Sequence, residues 1–260
     1  MFIFDIPLWL SGLLLVVLFA AYALLAMAVI RRRVLPRMRF GEHDAEYASM
    51  IVHSVIGFYG LVTALIAVSV WSRHSSVMET AGLEATSVGS LWRDISGYPS
   101  PIREELRDML RGYTKYTIDT AWVAQRNGVI PYAGVLKIDR FQEKLFAFEP
   151  ATENQRLLHA EALRAYNLMI QFRRQRLETT GKGLPGVLWF LVIGGAMIIL
   201  LLVMFYRVEN IRLQTFLVFC LSTFMAMVIF VILALDQPYR GELGVKPAAL
   251  QLIYDHLMNH

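Results

Sequence analysis

Few residues of this chain could do chemistry, and they form no catalytic constellation. The sequence contains no glycine-rich phosphate loop and no serine-nucleophile motif. His256 and His260 are four residues apart, which is the spacing of a two-histidine metal face on a helix. No glutamate lies between them and no third ligand is nearby, so we favour a solvated or interfacial helix. We therefore expect no enzyme, no bound metal and no cofactor.

The acidic residues Glu42, Asp44 and Glu46 alternate along the chain after a run of arginines. Such a cluster could bind a cation. Carboxylates also favour the positive N-terminal end of a helix, and here they would offset the charges of Arg37 and Arg39. We prefer this second interpretation, in which the acidic residues cap the helix that follows.

More informative polar residues lie within an apolar segment, 50–71. Polar and ionisable groups inside a bilayer are costly and normally face a bundle interior or water. Small residues among them permit close helix packing. Two interpretations stay open: these residues pack helices within one subunit, or the segment lines a pore or proton path. The residues concerned are His53, Ser54, Gly57, Tyr59, Gly60, Thr63 and Ser69.

A second polar cluster follows another apolar segment, at residues 235–242. Asp236 begins a turn at the expected membrane edge, and Pro238 and Gly241 fix its shape. We interpret the cluster as a structural turn that ties the C-terminal tail to the rest of the chain.

The composition indicates a membrane protein. Of 260 residues 56% are hydrophobic, with a mean hydropathy of +0.48, whereas soluble proteins reach about 45–50% even when glycine is counted. The single cysteine, Cys220, excludes an internal disulfide. The excess is concentrated in segments long enough to cross the hydrocarbon core, which excludes a cytosolic enzyme and a disordered chain. The four predicted spans are 7–30, 50–71, 186–206 and 213–235.

Basic residues in the short loops predict the orientation of these spans. Seven arginines lie within the loops 31–49 and 207–212, whereas the other side carries only Arg240 and Lys246 in short segments. We expect the protein to lie in the cell (inner) membrane. Because arginine-rich loops stay in the cytoplasm, both termini and the long insert are expected on the extracytoplasmic side. The net charge of +4 is then explained by basic loops that are retained at the cytoplasmic face of the membrane, and we expect no nucleic-acid partner.

The predicted fold class is all-α, with four transmembrane helices and a helical extramembrane bundle inserted between spans two and three. The predicted regions are 1–71, with spans one and two and a basic loop; 72–185, the helical insert; 186–235, with spans three and four; and 236–260, the tail.

Helical periodicity runs through the insert. Span two is expected to continue unbroken to Ser96, with a buried stripe on one side. A helix over 102–124 follows, then a short one over 138–148, and then a longer one that begins at Thr152 with Gln155 in the capping box. Two sets of apolar residues recur at helical spacing: Val77, Val88, Leu91, Trp92 and Ile95 on the first helix, and Leu106, Met109, Leu110, Tyr113, Thr117 and Ala121 on the second.

The order and spacing of several short segments resemble the bestrophin-like family of bacterial and plant membrane proteins, over about residues 46–250. These segments lie at the end of span two, along the expected stalk, at the start of span three and after span four. The residues that carry the resemblance are Trp71, Arg73, Glu79, Glu84, Ala85, Leu91, Leu184, Pro185, Trp189, Asp236, Pro238 and Gly241.

The resemblance implies a layout like that of bestrophins, which are pentameric anion channels with the second span around the pore. On this analogy the pore-lining candidates are Ile56, Phe58, Tyr59, Val62, Thr63 and Ile66. His53 is a further pore-lining candidate, because it is an ionisable residue within span two. The tail holds only Asp236, Glu242 and Asp255, so no calcium clasp is expected. Bestrophins keep the helical insert in the cytoplasm, and the arginine count and the resemblance therefore differ on orientation.

The leading hypothesis is an oligomeric ion channel whose partners are membrane lipid, copies of itself and an inorganic ion. The resemblance to bestrophins implies five copies. A second hypothesis is a non-conducting envelope scaffold or sensor whose insert binds a partner. A third is a proton-driven stator, but such proteins need a one-span partner with an essential carboxylate, and no span here carries a central Asp or Glu.

Overall fold

The computed structural model describes residues 6–37, 44–205 and 210–259. Within them the regular structure is helical throughout, without a strand, and the predicted all-α class is confirmed. The α-helices are α1 (Leu8–Val29), α2 (Asp44–Ser96), α3 (Ile102–Tyr116), α4 (Trp122–Arg126), α5 (Ala133–Phe146), α6 (Glu153–Glu178), α7 (Gly186–Val203), α8 (Ile211–Asp236) and α9 (Ala248–Ile253).

Four helices are long and apolar enough to cross a membrane, as predicted: α1, α2, α7 and α8. At 1.5 Å per residue, the 18 residues of α7 reach about 27 Å, close to the thickness of the hydrocarbon core, which is about 30 Å. This helix ends at Val203, before the predicted end of span three, and Tyr206 lies outside the described residues.

The unbroken continuation of span two is confirmed. Helix α2 has 53 residues, and at 1.5 Å per residue it is about 80 Å long, so much of it must lie outside the bilayer. It ends at Ser96, and the N–H of the next residue, Gly97, bonds to the carbonyl of Asp94. A Cβ atom at Gly97 would lie 2.7 Å from Leu158, which favours glycine at this close approach.

One compact unit, the membrane unit, comprises Met1–Ser72, Gly183–Gln237 and Gly241–Leu243. Its core joins α1, α7, α8 and the first part of α2. Ala23, Ala196 and Ala226 are fully buried, and such small residues let transmembrane helices approach closely. At one end of α1, Arg31 donates to Gln214 Oε1 of α8 over 2.7 Å.

The other compact unit, the extramembrane unit, comprises Arg73–Lys182, Pro238–Arg240 and Gly244–His260. The predicted stripe on the second part of α2 is buried in its core. The stripe on α3 is buried as well, except that Met109 is exposed, so this part of the prediction was wrong. Leu106, Leu110 and Tyr113 already form the buried face at helical spacing, and Met109 lies beside it.

Two helix starts in the extramembrane unit test the sequence signals. Thr152 is the N-cap of α6, accepting from Gln155 N over 3.2 Å, as predicted. Gln155 Oε1 in turn accepts from the N–H of Ala151 over 2.8 Å. Helix α5 begins at Ala133, five residues before the predicted start, because Pro131 ends the preceding segment and the carbonyl of Tyr132 accepts the first bonds of a new helix.

The C-terminal tail packs within the extramembrane unit. Trp122 Nε1 donates to the carbonyl of Val245 over 2.9 Å, and Arg111 Nε donates to the carbonyl of Met258 over 2.9 Å. His256 lies on the π-helical turns Tyr254–Met258 that continue α9. Its predicted metal partner, His260, lies outside the described residues.

Candidate functional site

Helix α2 has two opposite faces within the membrane unit. The first, which we call the open face, is Ser54, Phe58, Leu61, Leu65 and Val68. These residues recur every three or four positions and so share one side of the helix. All are exposed in the chain, Phe58 to 71%. A long apolar surface of this kind on a membrane helix faces lipid, a second subunit or a pore.

The opposite face of α2 carries Ile56, Tyr59, Thr63 and Ile66, four of the five predicted pore-lining residues. Thr63 and Ile66 are buried, and Ile56 and Tyr59 are partly buried against the core of the membrane unit. The fifth, His53, is exposed and its Nδ1 lies 2.7 Å from the carbonyl oxygen of Ser49. A pore-lining role for these residues stays a prediction.

Tyr59 fastens α2 to α7. Its hydroxyl donates to the carbonyl of Val192 over 2.8 Å. Its ring lies against Gly195, where an added Cβ atom would come within 2.6 Å of the ring edge. Gly195 therefore supplies the notch into which the tyrosine packs, and this contact orients α2 about its own axis.

A buried ion pair lies in the extramembrane unit. Glu84 of α2 is 0% exposed and Arg176 of α6 is 1% exposed. The guanidinium donates from Nη2 to Glu84 Oε1 over 2.9 Å and from Nε to Glu84 Oε2. This side-by-side geometry satisfies both carboxylate oxygens, which a buried charge requires.

Neighbouring groups complete the solvation of Arg176. Its Nη1 donates to Gln125 Oε1 over 2.6 Å, and its guanidinium lies 4.8 Å from the centre of the Trp122 ring. Burial on its own would lower the pKa of Arg176, but the Glu84 carboxylate outweighs it and holds that pKa above its ordinary value. Arg176 is therefore charged at every physiological pH.

Tyr239 holds the end of α6 from the C-terminal side. Its hydroxyl donates to the carbonyl of Arg176 over 2.9 Å and lies 2.9 Å from Thr179 Oγ1. Burial raises the pKa of Tyr239, so the phenol keeps its proton. We interpret the arrangement of Tyr239 and Arg176 as structural, because the Tyr239 hydroxyl and the nitrogens of the Arg176 guanidinium all bond to other protein atoms.

The other motif residues have separate placements. Asp236 ends α8 and its Oδ1 accepts from the N–H of Leu184 within the membrane unit. The carbonyl of Pro238 accepts from the N–H of Val245 over 2.8 Å. Gly241 has a φ of +72°, a left-handed conformation that favours glycine. Trp71 is exposed on α2.

Sequence reasoning missed Arg176, Gln125, Trp122 and Tyr239. A signal for Arg176 existed. The apolar stripe of α6 passes through Ala162, Ala165 and Met169, and position 176 continues it in helical register. An arginine on an apolar stripe indicates a buried partner. Nothing local indicated the partner residues on other elements.

Within the residues that the structure describes, no group of three or more His, Cys, Asp or Glu side chains could hold a metal ion. Among these residues, polar groups meet at the Tyr59 contact between α2 and α7 and in the buried Glu84–Arg176 network.

Together these features define a class: a multi-pass helical membrane protein with a helical unit between its second and third spans. The chain belongs to the bestrophin-like family, because the model of the Bestrophin-like domain matches residues 17–250. No curated protein matches the chain significantly.

Solved structures share the fold. A bacterial bestrophin homologue from Klebsiella pneumoniae, crystallised as two point variants, is similar to the chain at 8% identity. The first variant aligns with a TM-score of 0.65 over 94% of this chain and 98% of the other. The second aligns with a TM-score of 0.60 over 95% and 98%. At 8% identity, the structural similarity establishes that the two proteins share a fold.

Proposed function

We propose that the protein is an oligomeric ion channel in which α2 surrounds the pore. The observation that carries the proposal is the open face of α2, an exposed apolar stripe on a helix whose opposite face is packed against its own subunit. A ring of such helices around an axis would turn these stripes toward each other. Membership of the bestrophin-like family supports this arrangement.

In this arrangement the open face forms an apolar neck. Phe58, Leu61 and Leu65 lie at successive levels of the helix, and rings of apolar side chains can gate conduction by dewetting. Tyr59, Thr63 and Ile66 hold α2 against α7 and so set the direction of the neck residues. His53, one turn before the neck, lies toward the entrance.

The oligomer is a homo-oligomer, and the family resemblance makes five copies the proposed number. Exposed apolar faces on α1, α7 and α8 contact lipid or neighbouring subunits. Inorganic ions are the transported species, and the resemblance to bestrophins favours anions.

Flux measurements test the channel. Purified protein is reconstituted in liposomes and ion flux is measured under separate chloride and potassium gradients. We expect selective flux, and we expect Phe58→Ala to increase it because the neck widens. Phe190→Ala on α7 is the matched control, since Phe190 is 79% exposed and outside the proposed neck. Thr63→Val, which keeps the shape of the buried side chain, is expected to leave selectivity unchanged.

Two results would contradict the proposal. The first is the absence of chloride and potassium flux from protein whose fold and oligomeric state have been verified, which would favour the scaffold or sensor hypothesis. The second is a change of selectivity in Thr63→Val with none in Phe58→Ala, which would assign the pore to the opposite face of α2.

The proposed orientation follows the arginine-rich loops and leaves the insert and both termini outside the cytoplasm. Fusions of alkaline phosphatase and of green fluorescent protein after the C-terminal residue distinguish the two sides in a bacterial host. We expect phosphatase activity without fluorescence. Fluorescence without phosphatase activity would reverse the orientation.

A further inference from the structure

A narrow crevice within the extramembrane unit is lined by residues from α3, α4, α5 and α6. Its polar lining residues are Tyr113, Tyr116, Thr117, Gln125, Arg173 and Arg176, with Gly134 at one wall. The space is about that of one or two water molecules, too little for an organic ligand. The groups that line this crevice determine what it can bind.

Two buried donors in the crevice lack partners. Tyr113 Oη and Gln125 Nε2 make no hydrogen bond within the described residues, although both residues are buried. The amide of Gln125 has a fixed orientation, because its oxygen accepts from Arg176, which has only donors to offer. Its NH₂ group is therefore the end left without a partner. Burial raises the pKa of Tyr113, so the phenol is a donor at neutral pH.

Positive charge in the crevice is also uncompensated. Glu84 neutralises Arg176, whereas Arg173 forms no ion pair among the described residues. Arg173 reaches the crevice wall at Gly134, where an added Cβ atom would lie 3.5 Å from its Nη2. No carboxylate is among the described lining residues. The site therefore combines one net positive charge with donors and lacks a charged acceptor.

We propose that this crevice binds a small monovalent inorganic anion of halide size. Tyr113 Oη, Gln125 Nε2 and the guanidinium of Arg173 are its donors. A water molecule accepts two hydrogen bonds at most, whereas a halide accepts from all of these groups and neutralises the charge of Arg173. The proposal does not depend on ion conduction, since every residue that it uses belongs to the extramembrane unit.

Bromide is the probe, because it can be located by anomalous X-ray scattering. Crystals of the full-length protein grown in sodium bromide are expected to contain an anomalous peak within hydrogen-bonding distance of Gln125 Nε2 and Tyr113 Oη. In solution, the unfolding temperature is compared in sodium bromide and sodium gluconate at equal ionic strength. A ligand that binds the folded state raises this temperature, and we expect a rise of a few degrees.

Three variants separate binding from a general salt effect. Arg173→Gln removes the uncompensated charge from a partly exposed side chain, so the protein is expected to fold. Gln125→Glu keeps an acceptor for Arg176 and replaces the free donor by an oxygen that repels anions. Arg174→Gln is the matched control, because Arg174 is exposed one residue away. Bromide should raise the unfolding temperature of the wild type and Arg174→Gln but not of the other two.

Either of two results would overturn the proposal: a crevice that holds only water in crystals grown in bromide, or an equal bromide-dependent rise in Arg173→Gln and Arg174→Gln. If Gln125→Glu fails to fold, the comparison of the two arginine variants still decides the question.

Discussion

Glu84 and Arg176 form a fully buried ion pair between residues 92 positions apart in the sequence. Removing two charges from water costs several kcal/mol per ion, and the cost is recovered only when each polar atom finds a partner. Here the carboxylate accepts two hydrogen bonds, and the guanidinium also contacts Gln125 and Trp122. The pair fixes α6 against the second part of α2.

Removing one partner of this pair should therefore be strongly destabilising. We expect Arg176→Met to cost about 3–5 kcal/mol, because Glu84 is left buried without its counter-charge. Arg174→Met, at an exposed position, is the control and should change stability by less than about 0.5 kcal/mol. Thermal unfolding of the purified protein measures both.

The double variant Glu84→Met with Arg176→Met sharpens this test. Replacing both charges by apolar groups removes the uncompensated ion, so the double variant should be more stable than Arg176→Met alone. A double variant less stable than the single one, or an Arg176→Met protein as stable as the wild type, would disprove a structural role for the pair.

The notch at Gly195 gives a second prediction. Gly195→Ala would place a methyl group 2.6 Å from the Tyr59 ring, and such overpacking typically costs about 1–3 kcal/mol. Gly194 has no neighbouring atom within 4 Å of an added Cβ, so Gly194→Ala is the matched control. The unfolding temperature in detergent should fall in the first variant and stay unchanged in the second.

Tyr59 itself supplies the coupling experiment. If the tyrosine ring causes the loss, Gly195→Ala should cost little in a Tyr59→Ala background, and the double-mutant cycle should give a coupling energy above about 0.5 kcal/mol. Additive effects of the two substitutions would show that Gly195 is needed for a different reason.

The sequence predicted the elements of this fold well because its signals are local. Apolar length defined the four spans, and the absence of proline predicted the continuous α2. The Thr152 cap is likewise encoded within four residues. The orientation of α2 about its own axis could not be predicted this way, since it depends on Tyr59 meeting Gly195 of a distant helix. The choice of Ile56, Thr63 and Ile66 as pore-lining candidates therefore depends on polarity and analogy, and it stays a prediction.

The buried network illustrates the same limit for polar residues. Glu84 was singled out through the family resemblance, but its partner is on a helix 92 residues away and could not be identified without the structure. The register of Arg176 on the α6 stripe indicated burial. The choice of Gln125, Trp122 and Tyr239 as neighbours depends on the packing of three further segments.

The junction before α7 yields a third prediction. The N–H of Leu184 bonds to Asp236, and a Cβ atom on Gly183 would lie 2.8 Å from the second carboxylate oxygen. Gly183→Ala must displace this carboxylate and should lower the unfolding temperature by several degrees. Gly186→Ala is the control, because nothing lies within 4 Å of an added Cβ there. Equal unfolding temperatures for the two variants would contradict the proposed crowding.

A fourth prediction concerns pH and the contact between Tyr98 and His159, whose Oη and Nδ1 atoms are 2.6 Å apart. Burial lowers the pKa of His159, and burial with nearby Asp94 raises that of Tyr98. The phenol is thus protonated and donates to a neutral imidazole. The ring of Phe148 packs 5.4 Å from that of His159, which adds to its burial.

Because the folded pKa of His159 lies below the unfolded value of 6.5, the unfolded chain takes up a proton first as the pH falls. The stability from this site is therefore fully present above about pH 6.5 and is lost as the pH falls through the folded pKa. We expect the unfolding temperature to drop less between pH 7.5 and 5.5 in His159→Gln than in the wild type. His256→Gln, which removes an exposed histidine elsewhere in the chain, is the control variant. A His159→Gln protein with the same pH dependence as the wild type would exclude His159 as the titrating group.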